Sequence, residues 1–390
     1  MKMPMRPLRA ASLVVAALLF VTVADAQKKP KEPKRPKMQA GRDTNSAGAY
    51  HYWGLGQLEG NPRAAMDAFY WASRLEPAWA DPLYAQRIAF HMSNLERFWK
   101  YLNGTKYVLK SAEVKRADSL HFRALLRDPF LFRRHDKMLI DRLYQELTGQ
   151  HGIISGDPAM RAWFAYSQTQ FPQAVELYAK AIEKDPKDYE LHADRARAFY
   201  HLNRFDSAVA ELNLALAGYR KDDDEDLVVL YESKAMYEYS IANAYIQADR
   251  LPEAREALGR ALTEDLSFYV AHQKMAALAL AAGDTATAVS EYQLAVELNN
   301  DDAALRTEYG TVLIALGKHA DAAPHLLRAI ELEPWYARSY ALLGAAYEGI
   351  GKTAEAVAQY NRFMALAAQN HELRPPAQAR LTALSSVGGK

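Results

Sequence analysis

From residue 169 onward, apolar residues return at a fixed phase. A ten-residue phrase begins at 169, 203, 249, 283, 317 and 351, from "TQFPQAVELY" to "GKTAEAVAQY". Each copy holds an alanine: Ala174, Ala208, Ala254, Ala288, Ala322 and Ala356. Four positions later stands Tyr178, Leu212, Leu258, Tyr292, Leu326 or Tyr360. Three further on comes Ala181, Ala215, Ala261, Ala295 or Ala329, with Phe363 in the last copy. Spacings of four and three mark one face of an α-helix. Copies lie 34 residues apart, except that Ala208 to Ala254 spans 46, with the excess around "KDDDEDLVVLYE", 221–232. An earlier amphipathic stretch precedes each phrase. In 337–350, "ARSYALLGAAYEGI", Tyr340, Leu343, Gly344 and Tyr347 share a face. Gly283, Gly317 and Gly351 supply turns that tolerate positive φ. Each unit is therefore predicted to be two antiparallel helices. One hairpin cannot bury its apolar faces alone, so the units stack into a solenoid.

The set Tyr340-x2-Leu343-Gly344-x2-Tyr347, then Ala356 and Tyr360, with Pro334 closing the preceding unit, resembles the tetratricopeptide repeat family. The resemblance covers about 155–370 as six repeats, 155–188, 189–222, 235–268, 269–302, 303–336 and 337–370. It implies an all-α fold, a right-handed superhelical solenoid of antiparallel helix hairpins. The small eighth residue is kept as Ala162, Ala196, Ala242, Ala276, Gly310 and Gly344. The aromatic fourth residue is replaced by His192, Glu238, His272 and Arg306 in the repeats between. The domain plan places repeats one and two in 151–222, an acidic insertion at 223–234, repeats three to six in 235–370, and a capping helix with a tail in 371–390.

Residues 44–150 read as helical with degenerate repeat character. "GNPRAAMDAFYWASRLEP", 60–77, imitates a repeat's second helix, with Ala65, Phe69 and Ala72 in phase. "YLNGTK", 101–106, reads as a turn, and Pro129 is expected to open a helix over 129–149.

The first 26 residues read as an export signal. Lys2, Arg6 and Arg9 precede the apolar run 10–23, and Ala24-Asp25-Ala26 offers a cleavage site before Gln27. The run is short for a membrane span. The expected location is periplasmic or secreted. Residues 27–43 form a basic, Pro-rich linker that reads as an extended and solvated spacer, with a weak membrane or cell-wall contact through 28–37 as the alternative reading.

Composition removes several chemistries. The chain has 48 basic and 47 acidic residues, which gives no electrostatic case for nucleic-acid binding. It has no cysteine, hence no disulfide, thiolate metal site or cysteine nucleophile. Gly54, Gly56 and Gly60 are spaced one residue too widely for a dinucleotide loop. The acidic run at 221–227 lacks the glycine and terminal glutamate of a calcium loop. The run Arg133, Arg134, His135, Asp136 reads as a solvated helix face. No catalytic, cofactor or metal residue is assigned. The chain reads as a scaffold or adaptor for a protein or peptide partner; the alternatives are a cell-envelope assembly factor held to membrane or wall by the basic leader and an enzyme with a site in 44–150.

The family resemblance implies that the second, fifth, ninth and twelfth positions of each repeat line a concave groove. On that basis the groove residues are Tyr239, Asn243, Ile246, Gln273, Leu280, Thr307, Thr311, Ile314 and Arg338, with Tyr239, Leu280 and Ile314 as anchors. This mostly apolar lining suits an apolar segment or an amphipathic helix. The C-terminal helix 375–387 is a rival occupant of the same groove.

Overall fold

A computed structural model describes residues 32–38, 41–102, 104–149, 156–219 and 233–387. The segment read as an export signal, the start of the first repeat and most of the acidic insertion lie outside the described residues. Residues 1–34 and 35–390 form separate units, and the following concerns the second. The fold is all-α: twenty helices and no strand are found among the described residues.

The repeats form six consecutive hairpins. Ahead of them lie α1 (Ala47–Gln57), α2 (Pro62–Leu75), α3 (Ala80–Met92), α4 (Leu95–Leu102), α5 (Lys106–Leu109), α6 (Ala112–Arg127) and α7 (Asp136–Thr148). The hairpins are α8 (Pro158–Ser167) with α9 (Phe171–Lys184), α10 (Glu190–His201) with α11 (Phe205–Tyr219), and α12 (Lys234–Gln247) with α13 (Leu251–Glu264). Then come α14 (Tyr269–Ala281) with α15 (Thr285–Leu298), α16 (Ala303–Ala315) with α17 (His319–Leu332), and α18 (Ala337–Gly349) with α19 (Thr353–Leu366). The chain closes with α20 (Arg374–Val387). The phased alanines are fully buried, Ala174, Ala208, Ala254, Ala288, Ala322 and Ala356 each at 0% exposure, so the helices approach there. At Gly310 and Gly344 the approach is closer still. An added Cβ would sit 2.7 Å from Leu326 and 2.8 Å from Tyr360.

All six hairpins turn the same way. Thr169, Asn203, Asp249, Gly283, Gly317 and Gly351 have φ between +57° and +78°. After each, an N–H bonds back to the closing helix: Gln170 to Ala165, Arg204 to Phe199, Arg250 to Tyr245, Asp284 to Ala279, Lys318 to Leu313 and Lys352 to Tyr347. This 6→1 bond is the Schellman closure of a helix end. Glycine serves only the last three turns. The first three place a threonine, an asparagine and an aspartate in the left-handed region.

The repeats that lack the aromatic fourth residue close their hairpins with polar pairs. His192 Nδ1 lies 2.7 Å from Glu211, Arg260 Nε donates to Glu238 over 2.9 Å, and His272 Nδ1 lies 2.7 Å from Glu291. Arg306 contacts His325 Nδ1 at 3.3 Å.

The N-terminal helices build their own layers. α1 and α2 form a hairpin in which Gly54 faces Phe69, where a Cβ would meet the ring at 2.7 Å, as in the later repeats. Tyr50, Trp53 and Gly54 thus occupy first-helix positions, a signal hidden beneath the glycine spacing. α3 packs on α2, α6 and α7. The expected helix from Pro129 is corrected, because α7 begins only at Asp136. The Asp128 carboxylate instead accepts the Phe130 N–H at 2.9 Å and holds a turn. Residues 130–132 become an apolar strap: the Phe130 ring stacks 3.7 Å from Tyr200, and Phe132 meets Tyr166 and Phe171 edge-on. The following run is no solvated face. Arg133 donates to Asp194 over 3.2 Å, and His135 is 5% exposed.

The leader also departs from a free tether at its end. The Arg35 guanidinium lies 4.4 Å from the ring centres of both Trp71 and Trp335, and Met38 packs beside them. Stacking on two indoles uses the weak hydration of guanidinium.

Candidate functional site

The groove formed by the first helices of the repeats is half filled by the chain itself. Tyr239 is 1% exposed, and its hydroxyl donates to the Leu126 carbonyl at 3.0 Å, at the end of α6. Next to it the Arg127 guanidinium lies 2.6 Å from Asp302. Asp302 also caps α16 by accepting the Leu305 N–H. Burial would raise the Asp302 carboxyl, but Arg127 and the cap outweigh it and hold it below its ordinary value. Further along, Trp71 meets Trp335 edge-on at 5.6 Å and Arg74 pairs with Glu333. Asn45 donates to the Ala365 carbonyl at 3.1 Å, and Asp43 accepts the Gln369 N–H at 2.6 Å. The α1–α2 hairpin, the segment before it and the end of α6 therefore dock across the third to sixth repeats.

The docking sorts the predicted groove residues into two sets. The fifth positions Tyr239, Gln273 and Thr307 face the seam with the N-terminal helices, beside Glu76, Leu126 and Arg127. Thr307, 1% exposed, bonds Ser339 at 2.8 Å, and Gln273 donates to Glu308 at 2.5 Å. Arg338, the second residue of its repeat, is tied to Glu372 at 2.6 Å. Tyr239 is thus corrected from partner anchor to internal anchor: its ring is spent on the chain's own α6. A cavity of about 440 Å³ remains at the seam, lined by Glu76, Arg127, Tyr239, Lys274, Thr311 and Tyr336 among others. Burial raises the Glu76 carboxyl above its ordinary value, against the pull of Arg338 and a hydrogen bond from Tyr336.

The ninth and twelfth positions are less covered. Asn243, Ile246, Leu280, Thr311 and Ile314 are half-buried, and Ala277 among them is exposed. They form a strip across three successive repeats, apolar with an amide and a hydroxyl at its edge. At the sixth repeat the strip ends under α20. Ala377 and Leu381 pack with Ala341, and Arg380 pairs with Glu348. The C-terminal helix thus covers the last unit alone. Sequence reasoning missed the other occupant, the end of α6, since nothing in a helix-period pattern marks Leu126 and Arg127 as groove-bound.

Among the described residues no group of three or more His, Asp or Glu side chains could hold a metal. No helix there is long and apolar enough to cross a membrane.

Residues 165–225 match the family model described as tetratricopeptide repeat, and residues 242–386 match a bacterial transcriptional activator domain. A protein SGT1 homolog of Oryza sativa subsp. japonica is 40% identical over 62 residues, 16% of this chain and 17% of that protein. An Hsp70-Hsp90 organizing protein of Triticum aestivum is 30% identical over 96 residues, 25% of this chain and 16% of that protein. The chain thus spans only about one sixth of the length of these curated relatives. Among solved structures, YrrB, described as a TPR protein with an unusual peptide-binding site, is 21% identical, covering 53% of this chain and 99% of that one, with a TM-score of 0.40. The APC/C hetero-tetramer Cut9–Hcn1 is 14% identical, covering 90% of this chain and 78% of that one, with a TM-score of 0.41.

Proposed function

The chain is a tetratricopeptide-repeat protein, and from that premise we propose that it is an exported, non-catalytic scaffold that captures a protein or peptide segment on the uncovered half of its groove. The carrying observation is the strip of Ile246, Leu280 and Ile314, which is only half-buried across three repeats while Tyr239 and Thr307 beside it are buried. Such a strip takes an amphipathic helix or an apolar extended segment, with Asn243 and Thr311 to fix its register. A few desolvated side chains would carry most of the affinity.

The test is crosslinked capture from envelope extract with the chain from Gln27 onward. Leu280→Glu and Ile314→Glu should each remove the captured partner while far-ultraviolet circular dichroism keeps its helical signal. Undiminished capture by both variants would refute the groove reading. Export rests on the basic start, apolar run and cleavage site of residues 1–26; N-terminal sequencing of the native protein should begin at Gln27.

A further inference from the structure

α4 and α5 form a corner of unusual surface. On α4, Phe98 is 4% exposed and lies with its ring centre 4.7 Å from that of His91, and the Tyr101 hydroxyl donates to Asp118 at 3.2 Å. These contacts fix the helix by its inner face. On its flank, Trp99 and Leu102 remain 45% and 49% exposed, and Tyr107 on α5 is 83% exposed. Scattered apolar residues on a surface need no explanation. Here, however, an exposed tryptophan, a leucine and a tyrosine share one helix–turn–helix corner, and cations surround them.

The charge there is one-sided. Residues 96–116 hold six basic side chains and two acidic ones. Both acids are spent locally, Glu96 on Lys100 at 2.6 Å and Glu113 on Arg97. Lys106, Lys110, Lys115 and Arg116 have no carboxylate partner among the described residues and are exposed. The rest of the body is acidic: residues 38–390 carry 39 basic and 45 acidic side chains in all.

We propose that this corner is a peripheral membrane-docking surface for an anionic lipid bilayer. Tryptophan and tyrosine settle at headgroup level, where the ring is apolar and its polar edge stays wet. Lysines beside them gain from the negative surface potential, and partition combines both terms. A nucleic-acid strand would meet the acidic remainder of the body and would leave Leu102 without use. A planar bilayer touches only the corner. The proposal rests on residues separate from the groove and stands or falls without it.

The experiment uses residues 35–390, the compact unit, so that neither the apolar run 10–23 nor the leader lysines 28–34 can supply binding. Co-sedimentation with vesicles of phosphatidylglycerol mixed into phosphatidylcholine is compared with phosphatidylcholine alone. Binding should require the anionic lipid and fall with salt. The fluorescence of Trp99, the exposed one among the described tryptophans, should shift to the blue and be quenched by brominated acyl chains. Lys106→Gln with Lys110→Gln should weaken partition on the order of thirty-fold, at the strength of two surface cations. Trp99→Ser should abolish the blue shift and weaken partition, and Trp99→Phe should restore the binding. Equal binding to both vesicle types, no binding at all, or undiminished binding by these variants with helicity intact would overturn the proposal. So would retention on single-stranded DNA without vesicle binding.

Discussion

The Arg127 guanidinium and the Asp302 carboxylate stand 2.6 Å apart, Arg127 at the end of α6 and Asp302 at the cap of α16. Their side chains are 13% and 5% exposed, and the Tyr269 hydroxyl donates to the same carboxylate at 3.3 Å. Removing one partner of a buried pair leaves the other charge desolvated, at about 3–5 kcal/mol. Arg127→Ala should therefore destabilise residues 35–390 by about 3 kcal/mol and loosen the docking of α6 in the groove. Small-angle scattering should show a larger radius of gyration. A variant as compact and as stable as the parent would show that the pair does not hold the closure.

The turn at Thr169 invites the opposite change. A threonine at φ +63° has its branched Cβ forced toward the following carbonyl, which costs about 1–2 kcal/mol. Glycine at the equivalent positions 283, 317 and 351 avoids this. Thr169→Gly should raise stability by about 0.5–1 kcal/mol, net of glycine's larger chain entropy. Asn203→Gly and Asp249→Gly should gain less, since asparagine and aspartate tolerate the left-handed region. Denaturant midpoints of the three variants check the order, and a lowered midpoint for Thr169→Gly would contradict it.

Gly54 and Gly56 lie two residues apart in α1 but face different surroundings. A Cβ on Gly54 would reach Phe69 at 2.7 Å, whereas nothing lies within 4 Å of one on Gly56. Gly54→Ala should cost about 1–3 kcal/mol through overpacking. Gly56→Ala should stabilise by about 0.5–1 kcal/mol through helix propensity. Opposite signs in chemical denaturation would place Gly54 in the role that Gly310 and Gly344 play later in the chain. Equal effects would mean that α2 can shift to admit a methyl group.

The same contrast shows what the sequence makes legible. The repeats are readable because each contact that sets their phase, such as Tyr360 against Gly344 or Leu326 against Gly310, falls within one hairpin and returns every 34 residues. The closure of the groove is not readable in that way. Tyr239 meets Leu126 across 113 positions, and both are ordinary residues of amphipathic helices. Pro129 misleads for a local reason: the Asp128 carboxylate captures the Phe130 N–H and ends the choice in favour of a turn. Of the anchors, Leu280 and Ile314 stay at the groove surface, while Tyr239 is withdrawn by a neighbour that no periodicity reveals.

Acid should act on the buried histidines of the N-terminal helices. His51, His91, His121 and His135 are buried, and the His51 and His135 rings lie 6.4 Å apart. Burial lowers all four below the ordinary 6.5, with His135 pushed to about 4 by burial, His51 and Arg134. A histidine kept neutral in the fold contributes its full stability above pH 6.5 and loses it as pH falls toward the folded value, because the unfolded chain takes up the proton first. Buried Asp136, raised to about 8, acts in the opposite direction, as do Asp67, Glu76, Asp118 and Asp128, which burial also raises. The contribution of His135 itself should fall between pH 6.5 and 4. His135→Phe should flatten that fall, by about 3 kcal/mol at pH 4. Denaturation at pH 7.5 and pH 4.5 checks the slope. Parallel curves for parent and variant would mean that His135 is protonated within the fold, with water or a rearranged carboxylate to receive its charge.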